Sequence, residues 1–459
     1  MNVQPAPDTS GTLDNLELEM PRVPETLEET GLSAAFVSDL LLKTLYTHGA
    51  RTGTQLEDSI LLPFPILDDE LLSLQQRRLV EVRGAQGRGR RGYTFDLTTE
   101  GRDRCREILH TSRYVGPAPV PVETYREWVL LQSAREVKIT RGDLDRGFEN
   151  LIYPNEFLDS LGPAINSGKS IFLYGHAGNG KTSIAEVIAD IQGGSVFIPR
   201  CVEVDGHIIA IYDEVCHREV DVAVPDEDMP EYLRLVPEHD RRFVRIRRPV
   251  VMVGGELTLD ELELRYDSHA GLFRAPPQVK ANGGVFIIDD FGRQLVRPRD
   301  LLNRWMVPLE RHVDFLGLPA GTQIPMPFEC LLIFATNLNP AELVEEAFLR
   351  RIQYKILVDS PDQATYAEIF ERCCDAKGLE YKPRYVDFIY RQFYDARGLP
   401  ARACHPRDIV NHLLDIARYS GEEPEVSEEK LESACTSYFL ITTGEDIPGL
   451  GAAPSVYDG

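Results

Sequence analysis

Gly175-His-Ala-Gly-Asn-Gly-Lys-Thr182 is the stretch on which the fold turns. It matches G-x-x-x-x-G-K-[ST], a loop whose glycines let backbone amides point inward around a phosphate. The context agrees with the motif. Ser170-Ile-Phe-Leu-Tyr174 before it reads as a buried strand, and Ser183-Ile-Ala-Glu-Val-Ile-Ala-Asp-Ile191 after it repeats apolar residues at helical spacing. Strand, loop and helix in that order make an anion nest, to which the helix start adds its positive dipole end. Gly175, His176, Ala177, Gly178, Asn179, Gly180, Lys181, Thr182 and Ser183 are therefore the nucleotide-binding candidates. Lys181 offers an ammonium to the β- and γ-phosphates and Thr182 a hydroxyl to Mg²⁺.

Two further apolar runs end in polar residues. Val285-Phe-Ile-Ile288 is continuous, as a parallel strand covered on both faces would be, and it stops at Asp289-Asp290. Ligands in such sheets sit beyond the carboxyl ends of the strands. Asp289 is thus placed to hold Mg²⁺, and Asp290 to orient or deprotonate a water. Leu331-Leu-Ile-Phe-Ala-Thr-Asn337 ends in an amide that can reach both a γ-phosphate and a lytic water, provided its strand lies between the other two. Taken alone, each of these ends is also a common turn.

Around this centre the chain of 459 residues divides by composition. Residues 1–30 hold four prolines and seven acids against one base and read as a flexible acidic leader. Residues 31–115 show helical apolar spacing at Phe36, Leu40, Leu41 and Leu45, a second helix over Asp68–Leu79, and two strands around an arginine-rich turn. This pattern resembles a small α+β winged helix-turn-helix domain. Its Arg77–Arg106 stretch carries nine arginines and four acids, a patch suited to DNA or, with equal weight, to a protein. Residues 116–143 read as a proline-stiffened linker and a bridging helix, 144–359 as an α/β domain, 360–440 as a helical lid and 441–459 as a mobile tail.

Net charge is −24, which argues against a nucleic-acid coat protein if it is evenly spread. No apolar run approaches the roughly 20 residues that span a bilayer. The expectation is a cytoplasmic protein with no membrane insertion. Cys404, His405 and His412 lack a second ligand pair, and no structural metal is expected.

In this order the elements resemble the AAA+ ATPases, over about Leu144–Ser420. The loop looks like Walker A, Val285–Asp290 like Walker B and Thr336-Asn337 like sensor 1. Ala347-Phe-Leu-Arg-Arg-Ile352 resembles the arginine-finger segment and Pro406-Arg-Asp-Ile409 the start of the sensor 2 helix. The resemblance implies a P-loop NTPase parallel sheet with a C-terminal helical lid, hydrolysis of ATP with Mg²⁺, and a homo-oligomer, by analogy a hexamer. It gives Arg350 and Arg351 a role in trans and Arg407 one in cis. Many members have Asp-Glu where this chain has Asp289-Asp290; some replication-initiator and helicase-loader ATPases also have two aspartates.

Residues 190–282 form a long insertion between the Walker elements, with an acidic piece at Asp221–Glu231 and a basic one at Arg241–Arg248. Tyr266, Phe273 or the basic piece would line the pore of a ring, or else be solvated surface. The functional expectation is a motor that remodels a macromolecular client. A DNA-tethered ATP-dependent regulator and a monomeric P-loop kinase or nucleotide switch are the alternatives.

Overall fold

The computed structural model describes residues 20–85, 87, 89–133, 137–220, 239–318, 321–340, 350–396 and 398–439. The acidic piece 221–231, the start of the finger segment at 347–349 and the tail 441–459 lie outside them. Two compact units emerge. The first spans 1–147, 158–173 and 184–356; the second spans 148–157, 174–183 and 357–459.

In the first unit, helix α1 (Ala34–His48) is capped by Ser33, whose hydroxyl accepts from Phe36 N–H, and buries Leu40, Leu41 and Leu45. Helix α2 (Gly53–Ile60) was not legible from spacing; a reciprocal Thr52–Gln55 capping box starts it. Helix α3 (Phe64–Gln76) begins four residues before the expected Asp68, because Pro63 and Pro65 fit the start of a helix. Strands β1 (Arg51–Thr52), β2 (Val80–Ala85) and β3 (Tyr93–Leu97) make an antiparallel sheet in the order β1-β3-β2, followed by helix α4 (Thr99–Thr111).

The arginines of this region are largely committed to carboxylates. Arg90 pairs with Asp68 at 2.7 Å, Arg83 and Arg102 with the buried Asp96 at 2.8 and 3.2 Å, and Arg104 with Glu107 at 2.8 Å. Arg91 pairs with Glu57 and Arg106 with Asp103. Part of the expected leader is also packed. Pro21 and Pro24 are buried, Pro21 C=O accepts from Asp240 N–H at 2.9 Å, and the Arg242 guanidinium donates to Thr30 C=O at 2.9 Å.

The proline-rich linker ends in strand β4 (Val120–Pro121), and the bridging helix α5 covers Val122–Leu131. The long insertion is mostly strand: β6 (Ser195–Pro199), β7 (Cys201–Val204), β8 (His207–Ala210), β9 (Phe243–Arg247), β10 (Val250–Val253), β11 (Arg265–Asp267) and β12 (Leu272–Arg274). One sheet has the order β11-β12-β8-β7-β4, and β6 pairs with β9. Val196, Ile198, Val244 and Ile246 from β6 and β9 share a core with Val202, Ile209, Phe273 and Tyr125 of α5.

This packing sets the fate of the basic segment. Arg242 is 5% exposed and bonded to Asp240 at 2.7 Å, Arg245 donates to Ser195 Oγ at 2.8 Å, and Arg248 donates to Gln132 C=O at 3.0 Å. These side chains tie the β-module together. Phe273 is only 5% exposed and offers little surface, while Tyr266 is exposed.

The central sheet has the order β10-β13-β16-β5-β17, with β5 (Ile171–Tyr174), β13 (Val285–Ile288), β16 (Leu331–Thr336) and β17 (Tyr354–Leu357). The β10–β13 and β13–β16 pairs run parallel. The chain thus has an α/β fold of the P-loop NTPase class, with the glycine-rich turn joining β5 to the helix Lys181–Gln192. Phe172, Phe291 and Trp305 converge on Phe334 of β16 at ring separations of 5.7, 5.1 and 5.8 Å. A hairpin, β14 (Val313–Gly317) and β15 (Gln323–Pro327), buries Leu316, Ile324 and Met326 in the β-module core.

The second unit is helical from 363 onward, with helices Gln363–Asp375, Pro383–Ile389, His405–Ser420 and Glu428–Tyr438. Their core is rich in aromatics, including Tyr366, Phe370, Phe393 and Tyr394. No helix among the described residues is long and apolar enough to cross a membrane.

Phe334→Ala is expected to lower the unfolding free energy by about 3–5 kcal/mol, because three rings lose their shared partner. Urea denaturation followed by tryptophan fluorescence measures this; a loss below about 1 kcal/mol would mean that the aromatic cluster relaxes around the gap.

Candidate functional site

The site residues fall in both units, and each group has its own geometry. In the second unit the glycine-rich turn is fixed by close approaches. Gly175 has φ 144° and Gly178 φ 83°; a Cβ on Gly175 would lie 2.2 Å from Val358 O, and one on Gly178 2.6 Å from Cys404 Sγ. Only glycine fits such positions without displacing the chain.

Asn179 shows a use the motif did not reveal. Its side chain is 1% exposed, donates to Val358 C=O at 3.3 Å and to Ser360 Oγ at 3.4 Å, and accepts from Ala403 N–H at 3.3 Å. Cys404 N–H donates to Gly178 C=O at 2.9 Å, and the Tyr153 hydroxyl donates to Asn179 C=O at 3.0 Å. The turn is thereby tied to residues 402–404 of the helical unit. Lys181, 7% exposed, donates from Nζ to Gly175 and His176 carbonyls, both at 2.9 Å. Its ammonium is held over the turn.

Two arginines flank the start of the helix His405–Ser420, Arg402 before it and Arg407 in its first turn. Arg407 pairs with its neighbour Asp408 at 3.0 Å, and its side chain is 68% exposed. Arg402 was not singled out in the sequence. Its Nη1 is buried and finds no hydrogen-bond acceptor among the described residues, and its Cβ is 3.7 Å from a Cβ built on Gly178. His405 stacks on Tyr394 with Nδ1 2.8 Å from that hydroxyl; burial, aided by the nearby Arg402 charge, pushes its pKa down to about 4.

In the first unit, Asp290 and Asn337 are brought together because β13 and β16 are neighbouring parallel strands. Asn337 Nδ2 donates to Asp290 Oδ1 at 2.8 Å. Asp290 has φ 48°, a left-handed conformation that costs of order 1–3 kcal/mol in a non-glycine residue and that persists where the surroundings impose it. Four hydrogen bonds surround it here. Asp290 N–H donates to Asp289 Oδ1 at 2.9 Å, Phe291 N–H donates to Ala335 C=O at 2.8 Å, and Gln294 Nε2 donates to Asp289 C=O at 3.1 Å and Asp290 C=O at 3.3 Å.

Gln294, 9% exposed, was missed from sequence because nothing local distinguishes it from a loop glutamine. Thr336 is buried and donates to Phe291 C=O at 2.6 Å, fixing the strand end before Asn337. Arg350 is exposed, and Arg351 forms an ion pair with Glu310.

Thr182 and Asp289, the residues named for Mg²⁺, carry hard oxygen donors of the kind that suits it, and Asp290 follows Asp289 in the chain. Thr182 belongs to one unit and the aspartates to the other.

A family model described as "Domain of unknown function (DUF8689)" matches residues 362–437, the span of the four helices. No curated protein matches the chain. Among solved structures, NtrX from Brucella abortus in complex with ADP is similar at 15% identity and a TM-score of 0.37, over 62% of this chain and 56% of that one. The chain therefore covers little more than half of NtrX. The RuvB Holliday junction branch migration motor of Thermotoga maritima is similar at 12% identity and a TM-score of 0.36, over 62% of this chain and 70% of that one.

Proposed function

We propose that the protein is an ATPase of the AAA+ type that assembles with copies of itself, as a ring, and uses hydrolysis to remodel a macromolecular client. The observation that carries this reading is the bond from Cys404 N–H to Gly178 C=O, with the Asn179 side chain beside it. It ties the phosphate-loop backbone to the first turn of a long helix, so a change at a bound γ-phosphate has a route into the helical unit.

In this reading the loop amides and Lys181 bind the phosphates, the ammonium exchanging a loop carbonyl for phosphate oxygen. Thr182 and Asp289 would hold Mg²⁺, which would supply neutralisation of the phosphate charge. Asp290 accepts the proton of the attacking water, and Asn337 orients that carboxylate through its 2.8 Å bond. Holding Asp290 left-handed keeps the shorter carboxylate at one fixed position. The committed arginines of residues 83–106 and the acids Asp68 and Asp69 on α3 favour a protein contact over duplex binding for the winged-helix-like domain.

Lys181→Ala is expected to weaken ATP binding at least about tenfold in calorimetry; unchanged affinity removes the phosphate-loop assignment. Asp290→Asn is expected to bind ATP and release phosphate about 10²-fold or more slowly, and wild-type turnover would give the water to another group.

Arg350 and Arg351 are assigned to a neighbouring subunit's γ-phosphate. Mixing subunits carrying Arg350→Ala and Arg351→Ala with Lys181→Ala subunits should restore turnover at the composite interfaces, and confirmed mixed assembly without recovery would refute the trans role.

In cis, Arg402 suits an anion on the loop better than Arg407, which already has a carboxylate partner. Arg402→Ala should cost about tenfold in ATP affinity and Arg407→Ala less than about twofold; the opposite order returns the role to Arg407.

A further inference from the structure

The first unit contains a cleft of ≈ 270 Å³ that takes no part in the chemistry above. It lies where the end of α4 meets the face of β8, β12 and β11, and is lined by Thr111, Ser112, His207, Tyr266, Gly271 and Phe273. Its floor is aromatic. Phe273 is buried, with the ring of its cross-strand partner Tyr266 at 5.0 Å and the His207 ring edge-on at 5.5 Å. Tyr266 is 57% exposed, so much of its ring remains open as a stacking surface.

Its polar side is set by a buried cation. Lys43 of α1 is 3% exposed and donates from Nζ to Ser112 Oγ at 3.2 Å. A hydroxyl that accepts from an ammonium is polarised and keeps its own proton to donate, so Ser112 presents a strengthened donor. Next to it is Arg113, exposed and without an ion pair among the described residues. A Cβ built on Gly271 would lie 2.6 Å from Arg113 Cβ, which puts that residue at the cleft's edge.

We propose that this cleft binds a nucleobase and its attached phosphate. The ring stacks on Tyr266 and is flanked by His207, a ring-edge acceptor takes the Ser112 hydroxyl, and the phosphate meets Arg113. Every base has a π-face for such a platform, and an open aromatic, one polarised donor and one rim cation match a planar ring with a single negative group. The source is a free nucleotide or a nucleotide within a single strand. The proposal does not depend on the phosphate loop.

The test uses the full chain carrying Lys181→Ala, so that the glycine-rich loop contributes little, and titrates AMP, UMP and 12-mer single strands by calorimetry. Saturable binding is expected for at least one ligand, weakened about tenfold by Tyr266→Ala, weakened by Ser112→Ala and retained by Tyr266→Phe. Binding of the 12-mers alone assigns the site to a strand; comparable binding of AMP or UMP assigns it to free nucleotide. No saturable binding, or binding that either Tyr266→Ala or Ser112→Ala leaves unchanged, overturns the proposal.

Discussion

The buried amide of Asn179 is the constraint on which the glycine-rich loop depends. A turn that aims its amides inward cannot hold itself open, because its own carbonyls compete for those donors. Asn179 resolves the competition by bonding outward on three sides, to Val358, Ser360 and Ala403. Lys181 then closes over the carbonyls of Gly175 and His176. A loop held in this way has little freedom to rearrange, and the Cys404 N–H to Gly178 C=O bond ties it to the residue just before the helix at His405.

The second centre uses strain in place of burial. Asp290 is exposed, so no low-dielectric pocket fixes its carboxylate. Its position comes from the left-handed backbone, from Gln294 beneath it and from Asn337 beside it. If Asp290 has the role proposed above, such definition matters, since a side chain with fewer torsions than a glutamate has fewer ways to correct its aim.

Charge is distributed by the same economy. The first 30 residues hold seven acids against one base, and residues 421–459 nine acids against one base, so over half of the −24 lies toward the two ends of the chain. The arginines between them are mostly spent internally: Arg83 and Arg102 on Asp96, Arg242 on Asp240, and Arg248 on backbone carbonyls. Basic stretches in sequence thus became ion pairs and hydrogen bonds in the fold: the buried Arg242 has its charge met by Asp240, and the half-exposed Arg83 and Arg102 neutralise the buried Asp96.

The sequence by itself determined the strand-loop-helix around Gly175–Thr182, the buried strands 285–288 and 331–336, and the helices after 362. Each is written in local periodicity or in residues whose backbone freedom is unusual. The place of the strand ending before Asn337, between the strands that end before Asp289 and before Gly175, was foreseeable as a condition, whereas the bond from Asn337 to Asp290 was not. What only tertiary structure decided is long-range. The strands of the 190–282 insertion gather into a β-module because Val196, Ile198, Val244 and Ile246 find a common core with α5. Helix α2 depends on a cap too short to show as periodicity. Arg402 outranks Arg407 as the residue near the loop, and Gln294 supports Asp290, for a reason no spacing encodes: which polar atom lies buried beside which backbone is fixed by contacts between segments far apart in the chain.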